Sequence, residues 1–162
     1  RQHRSFQACS PVAMLRAVCE GTDKPVRASL HPREIYDSAD RCEIAELVRR
    51  FPHLEITDTP MVPLLAGCDA VVTQNSSVAF NGYFFGKPAV LFAQSDFHHI
   101  ALRGEGASIG ETLAQTEAHR PDYAGYVHWF WQRMSVNAGR DTAETRISEA
   151  LGRAGWPVAA TE

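Results

Sequence analysis

The sequence predicts an α/β fold of the Rossmann-like type, with helices on both faces of a mostly parallel sheet of about four strands. Short apolar runs at 26–30, 54–56, 70–74 and 88–92 are typical of strands, and helical patterns separate them. The connections are short, as in strand–helix–strand units whose strands run parallel. The chain has 162 residues, of which 44% are hydrophobic, and this is enough for one domain with a core.

The helices are predicted from their apolar faces and from the residues at their ends. The first covers 10–20, because Ser10 can cap its N-terminus, Pro11 suits its first turn and Gly21 can end it. Further helices are predicted over 38–50, 60–66, 76–86, 109–118, 123–136 and 142–153. The run at 88–92 is the last strand that the pattern predicts.

One domain is predicted, in three parts. Residues 1–9 open with Arg1 and are predicted to be the polar, cut edge of a longer protein, and 10–93 form the Rossmann-like core. Residues 94–162 are predicted to add a ligand-side loop and C-terminal helices to the same domain. The helix at 123–136 is strongly apolar, and a homodimer contact is one use for such a face.

Composition excludes several classes of protein. The net charge is −3 and there is no basic run, which argues against binding to a nucleic-acid backbone. No apolar run approaches the roughly 20 residues that span a bilayer. A cytoplasmic location is expected, with peripheral attachment to the inner face of a membrane through the full-length protein as an alternative. The four cysteines are scattered without a Cys-x-x-Cys motif and are expected to be buried, reduced thiols.

Two groups of polar residues follow predicted strands, namely His31 and the pair Ser76-Ser77. Ligands of open α/β sheets bind beyond the carboxyl ends of the strands, where both groups fall. Two hydroxyls beside the free N–H groups of a helix start suit a phosphate, and capping of the helix by one serine is the alternative. His31 can donate to a phosphate oxygen, and a backbone hydrogen bond at the strand end is the alternative. A nucleotide phosphate site is therefore predicted here.

A third group, Asp96, His98 and His99, lies in the loop after the last predicted strand. Histidine and carboxylate are ligands of zinc or iron, but this spacing matches no recognised closed site. We expect no metal here. A loop that touches the substrate and an ordinary packed surface are both compatible with the pattern.

Three stretches of the sequence occur in a familiar order: Ser29-Leu30-His31-Pro32, then LLAGCDAVVTQNSS at 64–77, then Gly-Lys-Pro at 86–88. Together they resemble the C-terminal half of GT-B glycosyltransferases. The resemblance is closest to bacterial capsular polysaccharide transferases that use CMP-activated acidic sugars such as Kdo or sialic acid. It extends over roughly residues 10 to 155.

The resemblance implies that the chain is the donor-binding half of an inverting glycosyltransferase. His31 and the Ser76-Ser77 pair would bind the nucleotide phosphate, Pro32 would shape the turn, and Asn75 would lie beside the phosphate. His31 would also stabilise negative charge on the leaving phosphate. The implied partners are a nucleotide-sugar, with a CMP-sugar as donor, and a glycan acceptor; no cofactor is implied.

The resemblance also implies elements that this sequence does not show. The catalytic base of the family, an Asp or Glu, belongs to an N-terminal domain. The first strand of the C-terminal domain should precede the helix at 10–20, and we expect it to lie before Arg1. Its place in the sheet is then predicted to be closed up or filled by another chain. The helix at 60–66 lacks the acid that holds the ribose in some of these families, which leaves Asp58 or Glu55 as substitutes.

Two other functions fit the same residues. CDP-glycerol glycerophosphotransferases use a similar histidine and Ser-Ser arrangement, so glycerol phosphate transfer is one alternative. The other is a non-catalytic interaction domain with a transferase-like fold, in which the aromatic run at 129–131 contacts a partner or a second copy.

Overall fold

The computed structural model describes residues 9–31, 35–105 and 108–156, and it confirms the α/β class. The described helices are α1 (Pro11–Gly21), α2 (Ser38–Arg50), α3 (Met61–Gly67), α4 (Val78–Phe84), α5 (Ile109–Gln115), α6 (Tyr123–Trp129) and α7 (Ala143–Arg153). The described strands are β1 (Val26–Ala28), β2 (Leu54–Ile56), β3 (Val71–Thr73), β4 (Ala89–Leu91) and β5 (Leu102–Arg103). A π-helix, Phe130–Met134, continues α6.

Local capping explains where the first two helices begin. The Ser10 Oγ accepts a hydrogen bond from the Ala13 N–H at 3.1 Å, so the predicted cap of α1 is confirmed. Helix α2 begins after a capping box, in which the Asp37 carboxylate accepts from the Asp40 N–H at 2.8 Å and the Asp40 carboxylate accepts from the Asp37 N–H. Both helices therefore lie within one residue of their predicted bounds.

The five strands form two parallel sheets. In one, β1 pairs with β2 with Val26 opposite Leu54. In the other, the strand order is β3-β4-β5, with Val72 opposite Val90. The sequence predicted about four strands, and the structure adds β5. That strand has only two residues, so it has no periodic pattern by which the sequence could reveal it.

Helices cover both faces of the three-stranded sheet, as predicted. Successive strand residues point to opposite faces, and Val71 and Val72 show this directly. A Cβ atom on Gly82 of α4 would lie 3.0 Å from the Val71 side chain, so α4 packs closely on that face. Val72 instead packs on the cluster that contains Val18 of α1. The result is a three-layer α/β/α arrangement around this sheet.

Helix α1 contributes to two adjacent hydrophobic clusters. Its Val18 is buried with Val90 and Phe92, and partly buried side chains from β1, β3, β5 and α5 pack around them. The next residue, Cys19, is buried with Leu47 of α2 and Leu54 of β2. The same helix therefore packs against strands of both sheets.

Two glycines allow α1 to cross α5 closely. A Cβ on Gly21 would lie 2.8 Å from the Ile109 side chain and 3.0 Å from the Gly110 backbone nitrogen. A Cβ on Gly110 would lie 3.1 Å from the Gly21 carbonyl oxygen. Gly21, predicted only to end the helix, thus also determines how close the two helices approach.

The chain divides after Tyr123 into two compact units, 1–123 and 124–162. The described part of the second unit contains most of α6, the π-helix and α7. Its Arg146 donates to the Gln132 carbonyl oxygen at 2.6 Å, which joins α7 to the π-helix. Helix α7 has no buried residue.

The described helices are short. The longest, α2, has 13 residues and is strongly charged, whereas a membrane span needs about 20 mostly apolar residues. No helix in the part of the chain that the structure describes is long and apolar enough to cross a membrane.

We expect Leu47→Ala to destabilise the protein by about 2–5 kcal/mol, because Leu47 is 2% exposed and the cluster around it would be left with a cavity. Denaturant unfolding followed by circular dichroism would measure the change. The neighbouring Val48 is 38% exposed, and Val48→Ala is the matched control, with an expected change of about 0.5 kcal/mol or less. Equal losses in the two variants would contradict the assignment of Leu47 to the core.

The exposed pair Lys24–Glu117, with Nζ and Oε1 2.7 Å apart, connects the turn after α1 to the end of α5. The hydrogen bond from Lys24 lowers the pKa of Glu117, and the same bond raises the pKa of Lys24. The stabilisation by Glu117 is therefore present above the ordinary carboxyl pKa and is lost as the pH falls through the lowered one. The part due to Lys24 is lost as the pH rises through its raised pKa.

We expect Glu117→Gln to lower the thermal midpoint slightly between about pH 5 and 9, and to have no effect near about pH 3. High salt should also remove the difference, because the pair is exposed. In the Lys24→Gln background, which already lacks the pair, Glu117→Gln is the control and should make no such difference. A difference that persists at pH 3 would mean that packing, not the ion pair, is responsible.

Candidate functional site

The predicted site residues follow strands of two different sheets. His31 lies three residues beyond β1, in the two-stranded sheet, whereas Asn75, Ser76 and Ser77 begin two residues beyond β3, in the three-stranded sheet. Because the strands within each sheet are parallel, each group lies at the carboxyl edge of its own sheet. The placement at strand ends agrees with the sequence, but the sequence did not indicate that two sheets are involved.

One contact joins the segments that follow the two sheets. Helix α3 follows β2 and helix α4 follows β3, so their beginnings leave the carboxyl edges of different sheets. The Asn81 side-chain amide of α4 donates to the Met61 sulfur of α3 at 3.3 Å. The helices that leave the two carboxyl edges are therefore in contact with each other.

His31 is exposed, and its backbone is held by the next loop. The His31 N–H donates to the Tyr36 hydroxyl oxygen at 2.9 Å. The Tyr36 carbonyl in turn accepts from the Arg41 side chain of α2 at 3.2 Å. Helix α2 thus holds the backbone at the end of the β1 segment. Pro32, which was predicted to shape this turn, lies outside the described residues.

The two serines have different roles in the structure. The Ser76 Oγ accepts from the Val78 N–H at 3.3 Å, so this hydroxyl satisfies the start of α4, as the capping alternative predicted. Ser77 is exposed and its side chain makes no capping hydrogen bond. Asn75 is also exposed. Of the predicted phosphate ligands on this turn, Ser77 and Asn75 are therefore the accessible ones.

The loop after β4 is held by local contacts. The Tyr83 hydroxyl of α4 donates to the Phe97 carbonyl oxygen at 3.1 Å. His98 Nδ1 is hydrogen-bonded to the Ser95 carbonyl oxygen, and the His98 and His99 rings stack with centroids 4.4 Å apart. Stacking of adjacent rings and a bond to a carbonyl are packing interactions. They explain this pair of histidines without a bound ligand.

A residue that the sequence did not single out lies in the same loop. The Ser95 Oγ is buried, and it has no hydrogen-bond partner among the described residues. Most buried hydroxyls are hydrogen-bonded, so such a group is unusual. The sequence places it after the last predicted strand, at the same edge as Ser76, but a serine in that position is common and did not stand out. Asp96 beside it is exposed.

Of the two substitutes for the ribose-binding acid, one is already engaged. The Glu55 carboxylate accepts from the Arg27 guanidinium across β1 and β2 at 3.3 Å. Asp58 is exposed just beyond β2. The threonines on either side of Asp58, Thr57 and Thr59, are joined by a hydrogen bond of 2.7 Å between their hydroxyls, which orders this turn.

The cysteines differ in exposure. Cys19 is buried, Cys9 and Cys68 are half-buried, and burial raises the pKa of all three thiols. A raised pKa leaves less of the nucleophilic thiolate at neutral pH. Cys42 is exposed on α2, so the expectation of buried thiols is wrong for this residue. The helical pattern could have indicated this, because at about 100° per residue Cys42 lies on the side of α2 opposite to the buried Ile44 and Leu47.

The structure also has two concave surfaces. A cavity of about 250 Å³ is lined by Trp131, Arg140, Arg146 and neighbouring residues of the second unit. A groove of about 330 Å³ lies between α1 and α2, beside Arg16 and Glu43. Neither is lined by His31, Ser76 or Ser77. In residues 9–31, 35–105 and 108–156, no three histidine, cysteine or acidic side chains are grouped so that they could hold a metal ion.

Comparison of the chain with models of protein families, with curated protein sequences and with solved structures found no match.

Proposed function

We propose that this chain is the donor-nucleotide-binding half of an inverting glycosyltransferase of surface polysaccharide synthesis, with a CMP-activated sugar such as Kdo as its donor. The observation that supports this best is the turn after β3. Its first serine satisfies the helix start, while the second is exposed and makes no capping bond. A turn that needed only a cap would require one hydroxyl, so the second is available to a ligand.

The nucleotide phosphate would bind at the carboxyl edge. The Ser77 hydroxyl and the Asn75 amide can donate to its oxygens, and both groups are exposed. His31, exposed beyond β1, would donate from the other sheet. Three exposed donors without an acidic side chain among them suit a phosphate, which is an anion.

In the reaction, an acceptor hydroxyl would attack the anomeric carbon while the bond from that carbon to the phosphate oxygen of CMP breaks. A carboxylate base, which the resemblance assigns to another domain, would take the proton of the acceptor. His31 and Ser77 would hydrogen-bond the departing phosphate more strongly as its negative charge grows, which lowers the barrier. This chain would thus bind the donor and stabilise the leaving group.

We expect the chain to bind CMP, and Ser77→Ala or His31→Ala to weaken binding about tenfold to a hundredfold, as expected for loss of a hydrogen bond to a charged group. Isothermal titration with CMP, CDP and UDP would measure this. Thr145→Ala and His128→Ala, both at exposed positions of the second unit, are the matched controls and should bind as the unchanged chain does.

The same titration separates the alternatives. Preference for CDP over CMP would favour transfer of glycerol phosphate from CDP-glycerol. Absence of CMP binding, or equal affinity in His31→Ala and His128→Ala, would overturn the nucleotide site itself.

Exposed apolar side chains in the second unit favour one further candidate, an interaction domain that contacts a second copy of this chain. Trp131 is 51% exposed and Met134 61%, and Ile147 and Leu151 are exposed one turn apart on α7. If this is correct, light scattering should show a dimer that Ile147→Lys disrupts and that Thr145→Lys, at an exposed position on the same helix, leaves intact. A monomer at all concentrations would exclude this candidate.

A further inference from the structure

Strands β1 and β3 each have one side that is not paired with another strand in the described part of the chain. In a parallel pair, alternate residues direct both their N–H and their C=O to the same neighbour. The Val71 N–H donates to the Pro88 carbonyl at 2.9 Å, and the Thr73 carbonyl accepts from the Phe92 N–H at 3.0 Å. Val71 and Thr73 thus bond towards β4, so the N–H and C=O of Val72 point away from it.

The same reasoning applies to β1. The Val26 N–H donates to the His53 carbonyl at 2.9 Å, and the Ala28 carbonyl accepts from the Thr57 N–H at 3.0 Å. The backbone groups of Arg27 therefore point away from β2. We call these two sides, at Arg27 of β1 and at Val72 of β3, the open edges. Neither is hydrogen-bonded to another strand in the described part of the chain.

Burial supports the view that these edges are uncovered. All three residues of β4, which has a strand on each side, are buried. In β3 only Val71 is buried, and Val72 and Thr73 are intermediate. Strand β1 has no buried residue. Central strands of a three-layer α/β fold are normally buried on both faces. Because β1 and β3 are less buried than this, their exposure is that of strands at the edge of a sheet.

The chain order shows that the two open edges belong to one break in a sheet. In the first sheet the chain passes from β1 to its neighbour β2, away from the open edge of β1. In the second sheet it passes from β3 to β4 and then to β5, away from the open edge of β3. Two such outward series occur in the doubly wound order 3-2-1-4-5-6, in which they flank a central strand. Val26 of β1 and Val72 of β3 also pack on the same cluster as Val18, so both strands border one core. The five strands match this order without its centre.

We propose that the open edges accept one additional parallel β-strand, supplied from outside residues 1–162, which joins the two sheets into one sheet of six strands. The strand would pair with Arg27 on one side and Val72 on the other. Its carboxyl end would emerge near Cys9, whose carbonyl accepts from the Gln74 side chain at 2.6 Å just beyond β3. This proposal does not depend on the nucleotide site.

The chemistry of the occupant follows from its surroundings. A parallel strand buried on both faces has a continuous apolar sequence rich in Val and Ile. Residues 1–8 contain two arginines, one histidine, two glutamines and a single large apolar side chain, Phe6. The apolar runs of the described chain already form strands or helix faces. An apolar segment outside this sequence is therefore the better occupant.

A fusion tests the proposal on the full chain. The segment Lys-Val-Ile-Val-Val-Thr is joined to the N-terminus, so that residues 1–8 form the link to α1 and keep the local concentration of the segment high. The matched control is Lys-Val-Pro-Val-Pro-Thr, which has the same length but lacks two N–H donors. Amide hydrogen exchange is then measured at Arg27 and Val72, with Val90 of the fully paired β4 as internal reference.

We expect exchange at Arg27 and Val72 to be at least about tenfold slower in the Val-Ile fusion than in the proline control, with Val90 unchanged. Equal exchange in both fusions would overturn the proposal. Protection of both amides in the unfused chain would also overturn the proposal. Protection that does not depend on protein concentration would mean that the chain closes its own sheet. Protection that rises with protein concentration would mean that a second copy of the chain occupies the open edges.

Discussion

The packing of helix α1 is the interaction on which the first unit depends, because its adjacent residues Val18 and Cys19 are buried in two different clusters. Val18 contacts the cluster of Val90 and Phe92, and Cys19 contacts Leu47 and Leu54. No strand-to-strand hydrogen bond joins the two sheets within the described residues, so side-chain packing connects them there. Since dispersion and hydrophobic contacts are not directional, they fix the distance between the sheets less strictly than a hydrogen-bonded ladder does.

This division has a direct consequence for the candidate site. His31 belongs to the sheet of β1, and Ser77 belongs to the sheet of β3. A phosphate held by both requires their donors to be placed within a few tenths of an ångström, as hydrogen-bond geometry demands. The contact of Asn81 with Met61 and the packing of α1 are the described links that set this distance.

The sequence predicted those features of the fold that local chemistry determines. Ser10 and Asp37 cap α1 and α2 through residues three positions away, so the beginnings of these helices could be predicted. Strand pairing is not local, and the split of the sheet between β1 and β3 was therefore not visible, although a missing central strand was expected from the resemblance. At the site, the doublet Ser76-Ser77 was found, but which serine caps the helix depends on where α4 begins, two residues later than predicted. Ser95 was missed because a single serine after a strand is common, and only burial without a partner distinguishes it.

The open edges and the phosphate site are thermodynamically linked if both halves of the site bind one ligand. A strand that pairs with Arg27 and Val72 would fix the spacing of β1 and β3, and hence that of His31 and Ser77. Any factor by which the strand raises phosphate affinity must equal the factor by which phosphate raises strand affinity. Without the strand, the ligand must itself order the two sheets, and that cost is subtracted from its binding free energy. Weak nucleotide binding by this chain would thus be the expected consequence of an unfilled centre of the sheet, and it would be compatible with the phosphate-binding role proposed for His31 and Ser77.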